Sequence, residues 1–226
     1  MPTIVLATQN PGKIREIRAM FAPRDIDVAG LDDLGRSFDE PDESADTFPG
    51  NATIKAAAYA RATGMHCLAD DSGLVIDALD GRPGVISSHY AFDGDTTGLA
   101  ASLSRAARDA KNIDKVLDEL DAAEPEARTA RFVCAMVLVD ASGSVLAQSE
   151  GVMEGRIGLP VNHPNVTPAD AVPRGEHGFG YDPIFLIAPD FCRTSAELDP
   201  QHKNTVSHRA KALDEMVKQI DRLDLA

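Results

Sequence analysis

The chain opens on a short β-rich apolar run, residues 3–7, which stops at Thr8-Gln9-Asn10-Pro11-Gly12. Apolar positions then recur at helical spacing through Lys13-Ile14-Arg15-Glu16-Ile17-Arg18-Ala19-Met20-Phe21. Asn10 is a good N-cap and Pro11 suits the first helical position, so strand, polar turn and helix N-terminus follow directly. Residues 26–29 predict a second strand, residues 32–46 an acidic loop, and residues 47–63 an Ala-rich helix. Cys67-Leu68-Ala69 leads into Asp70-Asp71-Ser72-Gly73, after which residues 74–78 resume an apolar strand. A turn at Gly81-Arg82-Pro83-Gly84 precedes helical patterns over 97–107 and 112–120. Residues 128–140 and 145–150 read as a hairpin joined at Ala141-Ser142-Gly143. The Pro/Gly/Asn-rich stretch 158–180 predicts a loop, 183–187 a strand, and Ser207 caps a last amphipathic helix ending near Leu223. Strands mixed with helices, with no repeat or linker, predict an α/β fold in a single domain, 1–226.

Composition sets limits on this picture. Of 226 residues, 43% are hydrophobic and 26% charged, which excludes wholesale disorder and a disulfide-stapled miniprotein. No apolar run approaches the roughly 18–20 residues needed to cross a bilayer. The opening Met1-Pro2-Thr3-Ile4-Val5-Leu6 lacks a basic segment and a long apolar core, so no secretory signal is expected. The net charge of −14 disfavours polymeric nucleic acid, yet a local cluster of cations or a divalent metal inverts the field within one cleft. Cys67, Cys134 and Cys192 show no metal spacing and read as free thiols in a reducing, cytoplasmic setting. His66, His89, His163, His177 and His202 fall in no ligand spacing and read as structural or surface residues.

Five segments carry candidate chemistry, each with a plain structural alternative. Thr8-Gln9-Asn10-Pro11-Gly12-Lys13 places unpaired N–H groups and a Lys at a helix N-terminus, suited to phosphate, or is an ordinary capped turn. Asp70 and Asp71 end an apolar strand and point to opposite sides if strand geometry persists. Their hard oxygens suit Mg²⁺, which takes one or two carboxylates plus substrate phosphates; the alternative is a turn. Glu40, Asp42, Glu43 and Asp46 are a solvated acidic loop, or supply a ligand that folds back on Asp71. Gly178-Phe179-Gly180-Tyr181-Asp182-Pro183 lets backbone and a base-stacking aromatic approach a ligand, or is a Gly-rich turn over core aromatics. Lys203 and Ser207-His208-Arg209 gather cations near a helix start, where they oppose its dipole unless an acceptor-bearing ligand sits there.

Taken in order, these blocks resemble the inosine triphosphate pyrophosphatases, enzymes that remove non-canonical purine nucleoside triphosphates. The matching residues are Ala7–Lys13 with Glu16; Glu43 with Thr47-Phe48, Asn51-Ala52 and Lys55-Ala56; Ala69–Leu74; Pro83-Gly84-Val85; Gly178–Pro183; and Ser207-His208-Arg209. The resemblance implies an elongated mixed sheet flanked by helices in two lobes with a central cleft, and a homodimer. It implies conversion of NTP and water to NMP and pyrophosphate with Mg²⁺, preferring ITP, dITP and XTP. By the same resemblance Thr8, Gln9, Asn10, Pro11, Gly12 and Lys13 cradle the triphosphate and Lys55 adds charge to it. Glu43 and Asp71 hold the metal, with Asp70 the second choice, and Asp71 is also the general base. Ser72 donates to substrate. Phe179 stacks on the base, Gly180, Tyr181 and Asp182 frame its edge, and Lys203, His208 and Arg209 lie near base and sugar. A 6-keto oxygen accepts hydrogen bonds where the adenine 6-amino group donates them, so a donor-built site rejects adenine. Two departures stand out. The 158–177 stretch, with Pro160, Pro164, Pro168 and Pro173, is longer than the usual connector. The Asp42–Thr47 segment lacks the usual Gly, which leaves Glu40, Asp42 and Glu43 as alternative ligands.

Overall fold

Strand β1 (Ile4–Leu6) explains the apolar opening run. Ile4 and Leu6 join one buried cluster while Val5 and Ala7 join another, as alternation across a strand requires. A sheet buried on both faces needs apolar residues at every position. The structure is a computed structural model that describes residues 3–24 and 26–223. Met1 and Pro2, the start of the segment read for a secretory signal, lie outside the described residues.

Helix α1 (Pro11–Phe21) starts where expected: the Asn10 side chain accepts the Gly12 N–H at 2.9 Å. β2 (Val28–Gly30) pairs in parallel with β1, and helix α2 (Phe48–Thr63) is capped by Thr47 and closed by Gly64 in the left-handed region. β3 (Cys67–Ile76) follows, then α3 (Gly98–Ser102) and α4 (Arg105–Glu119). β4 (Thr129–Val139) and β5 (Val145–Ile157) form the hairpin, and β6 (Leu159–Pro160) pairs in parallel with β7 (Ala171–Val172). The chain continues through β8 (Phe185–Ile187), α5 (Pro200–Val206) and α6 (His208–Ile220), the last capped by Ser207. The main sheet has the order β2-β1-β3-β4-β5-β8; β1 pairs in parallel with β3, and β5 is antiparallel to β8, so the sheet is mixed.

The chain divides into two compact units. The first draws on residues up to Ser72, Cys134–Val152 and the chain from Asn204. Within it, Ile17, Met20 and Phe21 of α1 and Leu213, Met216 and Ile220 of α6 pack on one sheet face, with Leu68, Met136 and Leu138. Ala52, Ala56, Tyr59 and Ala60 of α2 cover the other, with Cys67, Ala69, Val137 and Val139. A Cβ on Gly151 of β5 would lie 2.1 Å from the His208 carbonyl oxygen, so only glycine lets β5 approach α6 this closely. The second unit comprises Gly73–Val133 and Met153–Lys203. Its core gathers Leu74, Ile76, Tyr90, Val116, Leu120, Phe132, Ile184 and Phe185. Fully buried Arg128 donates to the carbonyls of Leu120 at 2.6 Å, Ala123 at 3.0 Å and Gly158 at 3.0 Å, satisfying acceptors at and beyond the end of α4.

Several boundaries differ from the sequence pattern. β3 runs unbroken through Asp70-Asp71-Ser72-Gly73 instead of stopping before Asp70, because cations from other elements meet the buried Asp70 carboxylate. β5 extends to Ile157, and part of the expected 158–180 loop is the small β6–β7 pair. Residues 182–184 are a 3₁₀ turn ahead of β8, and α5 replaces unassigned sequence before Ser207. Among the described residues no helix is long and apolar enough to cross a membrane.

Candidate active site

In the first unit, alternation along β3 sends the two consecutive carboxylates to different neighbours. Asp70, 1% exposed, takes Lys13 Nζ at 2.9 Å and Arg209 Nη2 at 3.3 Å on Oδ2. Burial alone would raise its pKa, but Lys13, Arg209 and Lys55 together hold it well below the usual carboxylate range. Arg209 is itself buried, and its guanidinium also donates to Glu16 and, at 2.9 Å, to Ser72 Oγ. Desolvation opposes its charge, yet Asp70 and Glu16 hold its pKa up. Lys13 and Lys55 both reach the Asp70 backbone carbonyl as well, at 3.4 and 3.2 Å.

Asp71 is placed differently. Its Oδ1 accepts the Ser72 N–H at 3.0 Å, and its buried Oδ2 has no hydrogen-bond partner among the described residues. Burial raises its pKa, Lys13 and Lys55 counter that, and Glu43 and Asp70 add to the rise. Lys55 Nζ pairs with Glu43 Oε2 at 3.0 Å; burial disfavours the ammonium, but Glu43, Asp71 and Asp70 raise its pKa. The loop carrying Glu43 is anchored on both sides. Gln9 donates its amide N–H to the Phe38 carbonyl at 3.1 Å and to Tyr59 Oη at 3.3 Å, and Asn51 accepts the Ala45 N–H at 2.9 Å.

A buried carboxylate oxygen lacking a donor, flanked by Glu43 and two lysines, fits a hard cation that completes its shell on phosphate and water. Glu43 and Asp71 would hold it; Asp70 Oδ1 is likewise buried without a hydrogen-bond partner among the described residues. Those residues contain no group of three or more His, Cys, Asp or Glu placed to enclose a metal.

At the turn before α1, Thr8 Oγ1 accepts the Asn10 N–H at 3.2 Å, which orders the backbone leading to Gly12 and Lys13. The first unit therefore gathers Thr8–Lys13, Glu43, Lys55, Asp70, Asp71, Ser72 and Arg209, with buried His208 beginning α6. The second unit gathers Phe179, Gly180, Tyr181, Asp182 and Lys203. There Lys203 Nζ lies 2.6 Å from Asp182 Oδ2, both side chains being 4% exposed, and 5.4 Å from the Phe179 ring centroid. Asp182 Oδ2 also accepts the Phe179 N–H at 2.8 Å, and Tyr181 Oη donates to the Ser87 carbonyl at 2.7 Å.

The sequence quoted Glu16 without a role, and its contact with Arg209 gives it one. Asp109 carried no signal at all: it is one polar residue of an amphipathic helix, and only the structure puts its carboxylate on the Gly180 N–H, at 3.0 Å.

A mixed α/β fold that sets two lysines and a capped helix N-terminus against buried carboxylates defines a protein built to handle a polyanion. The chain belongs to the Ham1 family, whose sequence profile matches residues 4–219. It is 44% identical over 225 residues to a dITP/XTP pyrophosphatase of Geobacillus kaustophilus, covering 99% of this chain and 96% of that one. A dITP/XTP pyrophosphatase of Bacillus subtilis is 42% identical over 221 residues, 98% of each chain. Among solved structures, a HAM1 protein from Coxiella burnetii matches with a TM-score of 0.77 at 38% identity, over 99% of this chain and 100% of that one. The Staphylococcus aureus Ham1 protein matches at 0.73 and 33%, over 97% and 98%.

Proposed function

We propose that this chain hydrolyses non-canonical purine nucleoside triphosphates (dITP, XTP and ITP) to the monophosphate and pyrophosphate. The observation that carries this reading is the buried, unpartnered Oδ2 of Asp71 beside Lys13, Lys55 and Glu43. The full-length similarity to dITP/XTP pyrophosphatases supports it. The 226 residues act as one functional domain in this reading, in a cytoplasmic homodimer that uses neither a membrane nor polymeric nucleic acid.

In the mechanism we infer, Thr8, Gln9, Asn10, Pro11, Gly12 and Lys13 cradle the triphosphate on the N–H groups of the α1 terminus. Lys13 leaves the Asp70 carboxylate partly or shares itself between carboxylate and phosphate, and Lys55 does the same from Glu43. Asp71 accepts a proton from the water that attacks the α-phosphorus. The P–O bond to the leaving pyrophosphate breaks, and Lys13 and Lys55 stabilise the charge that develops on it. Mg²⁺ held by Glu43 and Asp71 would neutralise phosphate charge and polarise the phosphoryl oxygens. Ser72 donates to substrate. Phe179 stacks on the base, Gly180, Tyr181 and Asp182 frame its edge, and Lys203, His208 and Arg209 serve base and sugar, as the resemblance has it. Arg209 has a second task here, holding Asp70 and Ser72 in place.

The test is one panel of ITP, XTP, dITP, ATP, GTP and dUTP, with pyrophosphate and phosphate measured separately, with and without EDTA. Pyrophosphate released from ITP, XTP and dITP, abolished by EDTA, is the expected result. Phosphate without pyrophosphate, or equal turnover of ATP and ITP, overturns it.

A further inference from the structure

The base-framing loop of the second unit is held from a helix that contributes nothing else to the proposed site. Asp109, on α4, accepts the Gly180 N–H on Oδ2 at 3.0 Å. One helical turn on, at i+3, Asn112 faces the same way and donates to the carbonyls of Ser87 at 3.3 Å and Ser88 at 3.1 Å. The Ser87 carbonyl is also the acceptor for Tyr181 Oη. Helix α4 thus grips the loop directly at the Gly180 backbone and indirectly, through Ser87, at the Tyr181 side chain.

The Asp109 contact falls between two residues that must be aimed. Gly180 has φ +60°, a left-handed conformation that reverses the chain between Phe179 and Tyr181. Its N–H is the group that the reversal presents, and a carboxylate is the strongest acceptor a side chain offers it. Asp109 is half-buried and is neither within the Gly178–Pro183 block nor part of any motif. Burial, with the Asp182 charge nearby, raises its pKa above the ordinary carboxylate value, and the Gly180 N–H, Arg105 and Arg108 work against that rise.

We propose that Asp109 is a positioning residue for nucleobase recognition: by holding the Gly180 amide it fixes the backbone from which Phe179 stacks and Tyr181 frames the base. This rests on the function proposed above and names the part of that site that reads the base rather than the phosphates. Asp109 touches no reacting atom, so its loss acts on binding of the base and leaves the phosphate chemistry intact.

The experiment measures kcat and KM for dITP, and the inhibition constant of inorganic triphosphate, in wild type, Asp109→Ala and Asp109→Asn. Loss of one charge-assisted hydrogen bond predicts a KM raised about tenfold or more in the Ala variant. Its kcat and its inhibition by triphosphate stay within about twofold, since neither needs the base. Asp109→Asn restores KM to near the wild-type value, because its amide oxygen accepts the same N–H. An unchanged KM in Asp109→Ala, an inhibition constant that rises in step with KM, or an Asn variant as poor as Ala overturns the proposal. Should Asp109→Ala fail to fold, hydrogen exchange at the Gly180 amide of the wild-type protein decides: protection is expected, and exchange at the free-peptide rate refutes it. Absence of dITP turnover in the wild type overturns the function and this inference together. Turnover in the wild type with an indifferent Asp109→Ala overturns this inference alone.

Discussion

Asp70 and Asp71 are adjacent in the chain and differ in what meets their partnered oxygen: Asp70 Oδ2 takes Lys13 and Arg209, while Asp71 Oδ1 takes only the Ser72 N–H, and each keeps one buried oxygen with no hydrogen-bond partner among the described residues. On the function proposed above, the difference assigns Asp70 to charge compensation and Asp71 to the reaction. Asp71→Asn is expected to lose two to four orders of magnitude in pyrophosphate release, about the contribution of a positioned base, with little change in urea stability. Asp70→Asn leaves buried Arg209 and Lys13 undercompensated and is expected to cost about 3–5 kcal/mol of stability. Parallel turnover assays and urea titrations check both; equal stability losses in the two variants would refute the division.

The depressed pKa of Asp70 carries its own pH signature. A carboxylate whose folded pKa lies below its unfolded value stabilises the fold fully above the unfolded pKa of about 3.9. That contribution is lost as pH falls from there through the lower folded value. The stability gap between wild type and Asp70→Asn is therefore constant from neutral pH down to about pH 5 and narrows below about pH 4. Urea titrations at pH 7, 5 and 3.5 measure it, and a gap that closes already between pH 7 and 5 would assign the effect to another group.

How much of this was legible in the sequence follows from where each interaction is local. The Asn10 and Ser207 caps bond within three residues, so α1 and α6 could be placed from their start signals, and α2 from its Ala-rich run. β3 could not, because Asp-Asp-Ser-Gly has the composition of a turn and is held extended by Lys13, 57 residues away, and Arg209, 139 residues away. The same holds for the site. The alternation of Asp70 and Asp71 was readable from strand geometry, but not which of them would be neutralised. Asp109 had no marker, since its partner is a backbone N–H 71 positions along the chain, whose place depends on the fold of everything between.

The three cysteines are predicted to differ sharply in reactivity. Burial pushes the Cys67 thiol up to about 11, against its hydrogen bond with Thr63, and burial with the nearby Asp70 charge pushes Cys134 further still. Cys192 is exposed. Thiolate is the reactive form, so at pH 8 native protein is expected to titrate one thiol with a disulfide reagent, and urea-unfolded protein all three. A second thiol reacting at a comparable rate in the native protein would mean that the β3–β4 region opens readily.

Gly178 and Gly180 bracket Phe179, and both have positive φ, +81° and +60°. Alanine at either position bears the left-handed backbone cost of about 1–2 kcal/mol. Their surroundings then separate them. A Cβ at Gly180 meets nothing within 4 Å, whereas one at Gly178 would lie 2.0 Å from Asp182 Oδ2 and 3.0 Å from Lys203 Nζ. Room for it requires Asp182 to give up the Phe179 N–H or its ion pair with Lys203, and both ionised groups are buried. Breaking such a pair adds several kcal/mol in comparable sites. Gly178→Ala is therefore expected to be less stable than Gly180→Ala by at least about 1 kcal/mol, measured by urea denaturation without nucleotide. Adding Asp182→Asn to Gly178→Ala relieves the contact only if the amide can turn away, so the double variant is expected to recover little. Equal stabilities for the two single alanine variants would show that the Asp182–Lys203 pair shifts freely, and that the loop is not held by it.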